Sequence, residues 1–193
     1  APLIAKLEAA RSGVIWQAIF VDDDSPDGTA AAVKAIAATD PRILCLHRIG
    51  RRGLAGAVIE GAMASAAPFV AVIDGDMQHD ERLLPKMLAA LRDDGMELAI
   101  GSRYVAGGGV GNWNATRASL STLATRVSQL LLRVPLTDPM SGFFMIQRAT
   151  FDRAVRNLSA MGFKILLDIV ASLPAPPRLV ELPYSFRSRV HGD

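Results

Sequence analysis

Between Phe69 and Asp80 the chain reads Phe-Val-Ala-Val-Ile-Asp-Gly-Asp-Met-Gln-His-Asp. An unbroken apolar run closed by a glycine between two carboxylates predicts a strand buried on both faces, with Asp74 and Asp76 at its carboxyl end. In open α/β sheets that end is where ligand crevices lie. Residues two apart on an extended chain point to the same side, and Gly75 lets the backbone bend so that both carboxylates converge. Such a pair suits a hard divalent cation, which takes oxygen ligands and keeps positions open for water or substrate phosphate. Two solvated turn aspartates would read the same in so short a motif, so the surroundings have to separate the two.

Strands and helices alternate around this run. Leu3, Ile4 and Leu7 make a helical stripe, and residues 18–21 read as a buried strand ending in Asp22-Asp23-Asp24. Ser25-Pro26-Asp27-Gly28-Thr29 is a turn, followed by an alanine-rich helix. Strands are predicted over 43–46, 69–73 and 98–102, with helices over 54–66 and 82–91 between them. This rhythm with short Gly, Asp and Pro connectors is the signature of a mostly parallel sheet covered by helices. A glycine-rich loop over 107–114 then leads to a predicted helix over 116–133. Its apolar stripe is Leu120, Leu123, Val127, Leu130 and Leu131, and its other face carries Arg117, Arg126 and Arg133. A basic amphipathic helix can lie on an anionic membrane surface, and equally can pack on a core with its basic face in water. Asp138-Pro139-Met140-Ser141-Gly142 reads as a turn into a strand over 143–146, and a helix over 161–172 and a strand over 179–186 close the pattern.

With 193 residues and half of them hydrophobic, the chain has the material for one domain with its own core. A net charge of +2 is too balanced for a duplex-DNA binder, so no nucleic-acid partner is expected. Cys45 is the sole cysteine, sits in an apolar run and cannot form an intrachain disulfide, which favours a reducing compartment. No stretch reaches the roughly 20 apolar residues that span a bilayer.

Several chemistries fail on spacing. A calcium loop begun at Asp23 finds Lys34 where its terminal glutamate belongs. Gly53, Gly56 and Gly61 do not form a dinucleotide fingerprint, and no phosphate-binding loop of the nucleoside triphosphatase type exists. A phosphatase using Asp74 as nucleophile is not excluded by the Asp-x-Asp pair itself. Two acidic strand ends, at 22–23 and 74–76, can line one crevice for a nucleotide whose ribose and base need acceptors and whose diphosphate needs a metal.

Taken together, the segment 21–29, Asp74-Gly75-Asp76-Met77-Gln78-His79, Gly101-Ser102-Arg103-Tyr104-Val105, the glycine-rich loop with Trp113 and Arg117, Asp138 to Phe143, and Gly162 to Asp168 resemble the polyprenyl-phosphate branch of the family 2 glycosyltransferases. The likeness spans nearly the whole chain in order. It implies a Rossmann-like GT-A fold, a nucleotide-sugar donor, Mg²⁺ or Mn²⁺, and transfer of one hexose, with inversion, onto a polyprenyl or dolichyl phosphate at the cytoplasmic face of a membrane. Carried over by position, Asp22 and Asp23 would sit at the donor base and ribose. Asp74 and Asp76, flanking Gly75, would hold the metal against the diphosphate with Gln78 as a further ligand. Arg103, Arg117, Arg187 and Arg189 would gather donor and acceptor phosphates, with Asp76, Arg103 and Arg117 as the catalytic set.

The resemblance also carries expectations at the edges. Members begin with a strand ending in a Pro-x-Tyr-Asn-Glu-like segment, so the chain is expected to be a single GT-A catalytic domain over residues 1–193 lacking its first strand and its C-terminal tail. Mannose from GDP-mannose is the expected cargo. The alternatives are glucose from UDP-glucose, a family 2 transferase acting on a saccharide hydroxyl, and a non-catalytic nucleotide-binding domain. A saccharide hydroxyl would need a carboxylate base, and the Gln-x-x-Arg-Trp segment usual in processive members is missing. Asp138 reads as a turn residue that could orient an acceptor, His79 as a weak phosphate contact or helix starter, and Arg48, Arg51 and Arg52 as an exposed basic run.

Overall fold

The computed structural model describes residues 2–10, 13–109, 135–159, 162 and 164–187. Along the chain these form α1 (Pro2–Ala10), β1 (Ala18–Asp22), α2 (Thr29–Ala37), β2 (Ile43–His47), α3 (Leu54–Met63) and β3 (Phe69–Val72). A 3-10 turn (Glu81–Leu83) runs into α4 (Leu84–Arg92), followed by β4 (Leu98–Ser102), β5 (Phe144–Gln147), α5 (Arg148–Val155), α6 (Ile165–Ser172) and β6 (Leu179–Pro183). The predicted helix 116–133 with its arginines, and Trp113, lie outside the described residues. No helix among the described residues is long and apolar enough to cross a membrane.

Strands β1 and β2 pair in parallel, from Ala18 opposite Ile43 to Asp22 opposite His47. The other four form a sheet of order β3-β5-β4-β6. Here β4 and β6 are parallel, while β5 runs antiparallel to β3 and β4. The α/β architecture is the expected one; the reversal of β5 and the division into two sheets are details that the alternation does not carry. Parallel neighbours follow from crossover helices, whereas β5 enters the sheet in the opposite direction after the connection between residues 102 and 144.

The strand that is buried throughout is β4, with β5 on one side and β6 on the other. Strand β3 is not buried on both faces as its composition predicts: it lies at the edge of its sheet, and Ala71 is exposed. An apolar run specifies a strand but not its rank in the sheet, because rank is set by non-local pairing.

Side chains of β4 and β5 alternate between two cores, as the two-residue period of a strand requires. Leu98, Ile100, Phe144 and Ile146 join Ala55 and Ala62 of α3, Phe151 of α5 and Leu166 and Ile169 of α6. Ala99, Met145 and the neighbouring Phe143 face Met87 and Leu91 of α4 and Tyr184 beyond β6. Helix α3 also lies on the smaller sheet, since a Cβ on Gly61 would come within 2.8 Å of Val21 Cγ2. One helix thus packs on both sheets. Helix α5 has no counterpart in the sequence reading: it is eight residues long and buries only Thr150, Phe151 and Ala154, too brief a stripe to announce itself.

Candidate active site at two acidic strand ends

The chain leaves β3 through Ile73 into Asp74-Gly75-Asp76, and the next residue, Met77, holds a left-handed φ of 63°. For a non-glycine residue that conformation costs about 1–2 kcal/mol, and strain of this kind gathers where a turn must aim functional groups. The turn is tied from within and from outside. Asp76 Oδ1 accepts from the Gln78 backbone N–H at 3.0 Å. The Gln78 side-chain amide donates to the Arg187 carbonyl at 3.1 Å, and the Arg187 N–H donates to the Gln78 carbonyl at 2.9 Å. The side-chain amide nitrogen is the donor in the first of these bonds, and the Gln78 amide oxygen is the acceptor atom of the side chain. Asp74 has a partly exposed side chain, and its Oδ2 lies 3.0 Å from His79 Nε2. Gly142 approaches so closely that a Cβ there would sit 2.9 Å from Asp74 Oδ2.

The end of β1 is built in the same manner. Asp22 is buried and accepts from the Ser25 N–H at 3.0 Å. Asp23 accepts from Arg48 Nη1 at 2.5 Å and from the Gly53 N–H at 2.7 Å. Asp24 follows with φ 63° and meets His47 Nε2 at 2.9 Å, while Lys34 Nζ stands 3.1 Å from His47 Nδ1. Arg48 is only 5% exposed, which corrects its placement in an exposed basic run. Its guanidinium bridges Asp23 and, at 3.3 Å, Glu60, and so fixes α3 against the end of β1. Arg51 and Arg52 are exposed as predicted, Arg51 pairing with Glu60 at 2.9 Å.

Of the four predicted phosphate-gathering arginines, Arg117 and Arg189 lie outside the described residues. Arg103 follows β4 and donates through Nε and Nη2 to the two oxygens of Asp138, at 2.8 and 2.7 Å. Burial works against its charge, but the paired carboxylate outweighs it and holds the guanidinium above its ordinary value. Asp138 is therefore not merely a turn residue. It is wholly buried, and its own N–H donates to Glu181 of β6 at 3.0 Å. Arg187 is committed to Asp80 at 2.6 Å and Glu81 at 2.8 Å, so its described role is to bind the segment after Asp76 to the stretch that follows β6.

The structure brings Asp74, Gly75, Asp76 and Gln78 into one turn and Asp22 and Asp23 into another. Sequence reasoning undervalued His79 and missed Tyr184 and Gly142, whose importance comes from contacts 105 residues apart in one case and 68 in the other. No cluster of three or more His, Cys, Asp or Glu suited to a metal exists among the described residues. The candidate set is two carboxylates and one amide oxygen. Those are hard donors of the class that Mg²⁺ and Mn²⁺ take while retaining water and substrate phosphate.

Comparison with known proteins bears on this arrangement. Residues 3–154 match the family Glycosyl transferase family 2. Dolichol-phosphate mannosyltransferase of Pyrococcus furiosus is 33% identical over 193 residues, covering 99% of this chain and 53% of that protein. The enzyme of the same name from Saccharomyces cerevisiae is 34% identical over 204 residues, covering 100% of this chain and 74% of its own length. The chain thus spans about half the length of the Pyrococcus relative (53%). Glucosyl-3-phosphoglycerate synthase from Mycobacterium tuberculosis superposes with a TM-score of 0.64 at 18% identity, over 99% of this chain and 66% of that one. Mannosyl-3-phosphoglycerate synthase from Rubrobacter xylanophilus gives 0.64 at 19%, over 97% and 62%. Structural likeness at that identity speaks for the GT-A fold alone. Since the family match covers most of the chain and takes in both acidic strand ends, the chain belongs to glycosyl transferase family 2.

Proposed function

We propose that the protein transfers one mannose from GDP-mannose to a polyprenyl or dolichyl phosphate, with a divalent metal, at the cytoplasmic face of a membrane. The observation that carries this reading is the 33–34% identity to two dolichol-phosphate mannosyltransferases across essentially the entire chain. The Mycobacterium tuberculosis synthase of the same fold was crystallised with Mn²⁺, UDP and phosphoglyceric acid, which supports a divalent metal and a nucleotide donor in this reading.

In this reading Asp22 and Asp23 receive the donor's ribose and base, held in place by Ser25, Arg48 and Gly53. Asp74, Asp76 and the Gln78 amide oxygen hold the metal. When bound there, Mg²⁺ or Mn²⁺ supplies positive charge that offsets the charge growing on the departing diphosphate. A lipid monophosphate has a second pKa of about 6 and is ionised near neutral pH, so its oxygen attacks the anomeric carbon without a protein base. The bond from that carbon to the diphosphate oxygen breaks, its electron pair leaves with GDP, and the configuration inverts. Arg103 and Arg187 already hold carboxylates, Asp138 for the first and Asp80 and Glu81 for the second, so the phosphates are assigned to Arg117 and Arg189, arginine suiting the task because its planar fork meets phosphate oxygens in pairs.

The test is a donor screen of GDP-mannose, UDP-glucose and UDP-N-acetylglucosamine with a short polyprenyl phosphate, following nucleoside diphosphate release. Release of GDP that needs both the lipid phosphate and Mg²⁺ or Mn²⁺, and that disappears in Asp76→Ala, is expected. Equal turnover in EDTA, or preference for a UDP-sugar, would overturn the reading.

A further inference from the structure

His79 is a polar ring in apolar company. It is 3% exposed, and ring centroids of Phe143, Tyr184 and Phe186 stand 5.1, 5.6 and 5.4 Å from its own. A buried imidazole is tolerated in such a nest only when both ring nitrogens are satisfied. Here they are: Nε2 lies 3.0 Å from Asp74 Oδ2, and Nδ1 lies 2.9 Å from the Tyr184 hydroxyl. An ionised carboxylate only accepts, so the ring proton facing Asp74 is on Nε2. The Tyr184 hydroxyl, 4% exposed at the residue level, needs an acceptor for its own proton and meets one at Nδ1. Both demands are met by a single tautomer, in which Tyr184 donates to His79 and His79 donates to Asp74.

Tyr184 is itself immobilised by backbone bonds. Its N–H donates to the Ser102 carbonyl at 3.2 Å and its carbonyl accepts from the Gly109 N–H at 3.1 Å, which anchors Tyr184, just past β6, to the end of β4 and to the loop that follows it. The relay therefore runs from the interior of the sheet to the carboxylate at the end of its edge strand. We infer that His79 is a positioning residue: with its tautomer set by Tyr184, it holds Asp74 Oδ2 and leaves Oδ1 to the cation. This rests on the reading that Asp74 and Asp76 hold a divalent cation. Partners that hold a metal-binding side chain from behind typically change metal affinity 10- to 100-fold when removed, whereas a ring serving only to fill the core would change stability and leave affinity as it was.

The experiment measures Mn²⁺ affinity in the presence of GDP, by electron paramagnetic resonance of the free ion, alongside thermal melting of each variant. His79→Leu and Tyr184→Phe are each expected to weaken Mn²⁺ binding by about 10- to 100-fold. His79→Gln keeps an N–H for Asp74 and should lose less than His79→Leu. Tyr184→Phe placed on His79→Leu should lose nothing further, because the relay is already broken. Wild-type Mn²⁺ affinity in folded His79→Leu or in Tyr184→Phe would overturn the inference while the cation reading stands. If His79→Leu does not fold, Tyr184→Phe decides, since it keeps the ring and removes one oxygen. Identical Mn²⁺ binding by wild type and Asp76→Ala would instead overturn the cation reading, and this inference with it.

Discussion

Arg103 and Asp138 face each other as two forks, Nε on Oδ2 at 2.8 Å and Nη2 on Oδ1 at 2.7 Å, with the Arg103 N–H adding a third bond to Oδ2 at 3.2 Å. The carboxylate is wholly buried and the arginine side chain 11% exposed. This pair locks the segment leaving β4 to the segment entering β5, and through the Asp138 N–H bond to Glu181 it reaches β6 as well.

Removing one partner of such a pair strands a buried charge, which costs about 3–5 kcal/mol. Asp138→Ala is therefore expected to lower unfolding free energy by about that much in urea denaturation. Arg103→Met on the same background should recover part of it, because no unpaired charge then remains. Additive losses in the double variant would contradict the pairing as the source.

Two glycines next to the site should respond differently to one added methyl group. A Cβ at Gly142 would meet Asp74 Oδ2 at 2.9 Å, the end of a side chain that can turn aside. Gly142→Ala should therefore keep most of the stability but displace the carboxylate, and a displacement of about 1 Å costs roughly 10²-fold in rate. A Cβ at Gly101 would meet Phe143 Cδ1 at 2.7 Å and Tyr184 Cδ1 at 3.3 Å, both on packed rings. Gly101→Ala should destabilise by about 1–3 kcal/mol through overpacking. Transfer rate and melting temperature measured on the same two proteins check both halves.

Stability should fall on the acid side for identifiable reasons. Burial pushes the Glu97 carboxyl up, but the Arg178 N–H and the Arg153 guanidinium outweigh it and hold the group below its ordinary value. The Arg82 guanidinium is the largest cause of the lowered Asp80 carboxyl, with Arg187 also contributing. Both carboxyls have folded-state values below the unfolded ones, near 4. Their contribution is thus complete above that range and is lost as pH falls through the folded values. Melting temperatures between pH 6 and pH 2.5 should drop, and Glu97→Gln should flatten part of the slope. An unchanged slope in that variant would remove Glu97 from the explanation.

Much of the candidate site was legible in sequence because its signals are local. Asp22, Asp23, Asp74, Asp76 and Gln78 stand at or near strand ends whose apolar runs precede them directly, and alternation of strand and helix needs only neighbouring residues to be recognised. The helix expected over 82–91 was legible in the same way, and the structure adds that Asp80 caps the 3-10 turn before α4 by accepting from the Arg82 N–H. The glycines at 28 and 53 are placed by their positive φ before α2 and α3.

What the amino-acid order could determine alone was therefore the kind of elements, the acidic turns that end them and the class of oxygen donors they carry. The tertiary structure decided the reversal of β5, the edge position of β3, the commitment of Arg103 to Asp138 and of Arg187 to Asp80 and Glu81, and the enclosure of His79 between Asp74 and Tyr184. The physical reason is range. Propensity and turn chemistry act over a few residues, whereas strand order and buried hydrogen-bond partners are chosen by groups far apart in the chain that must all be satisfied at once when water is removed.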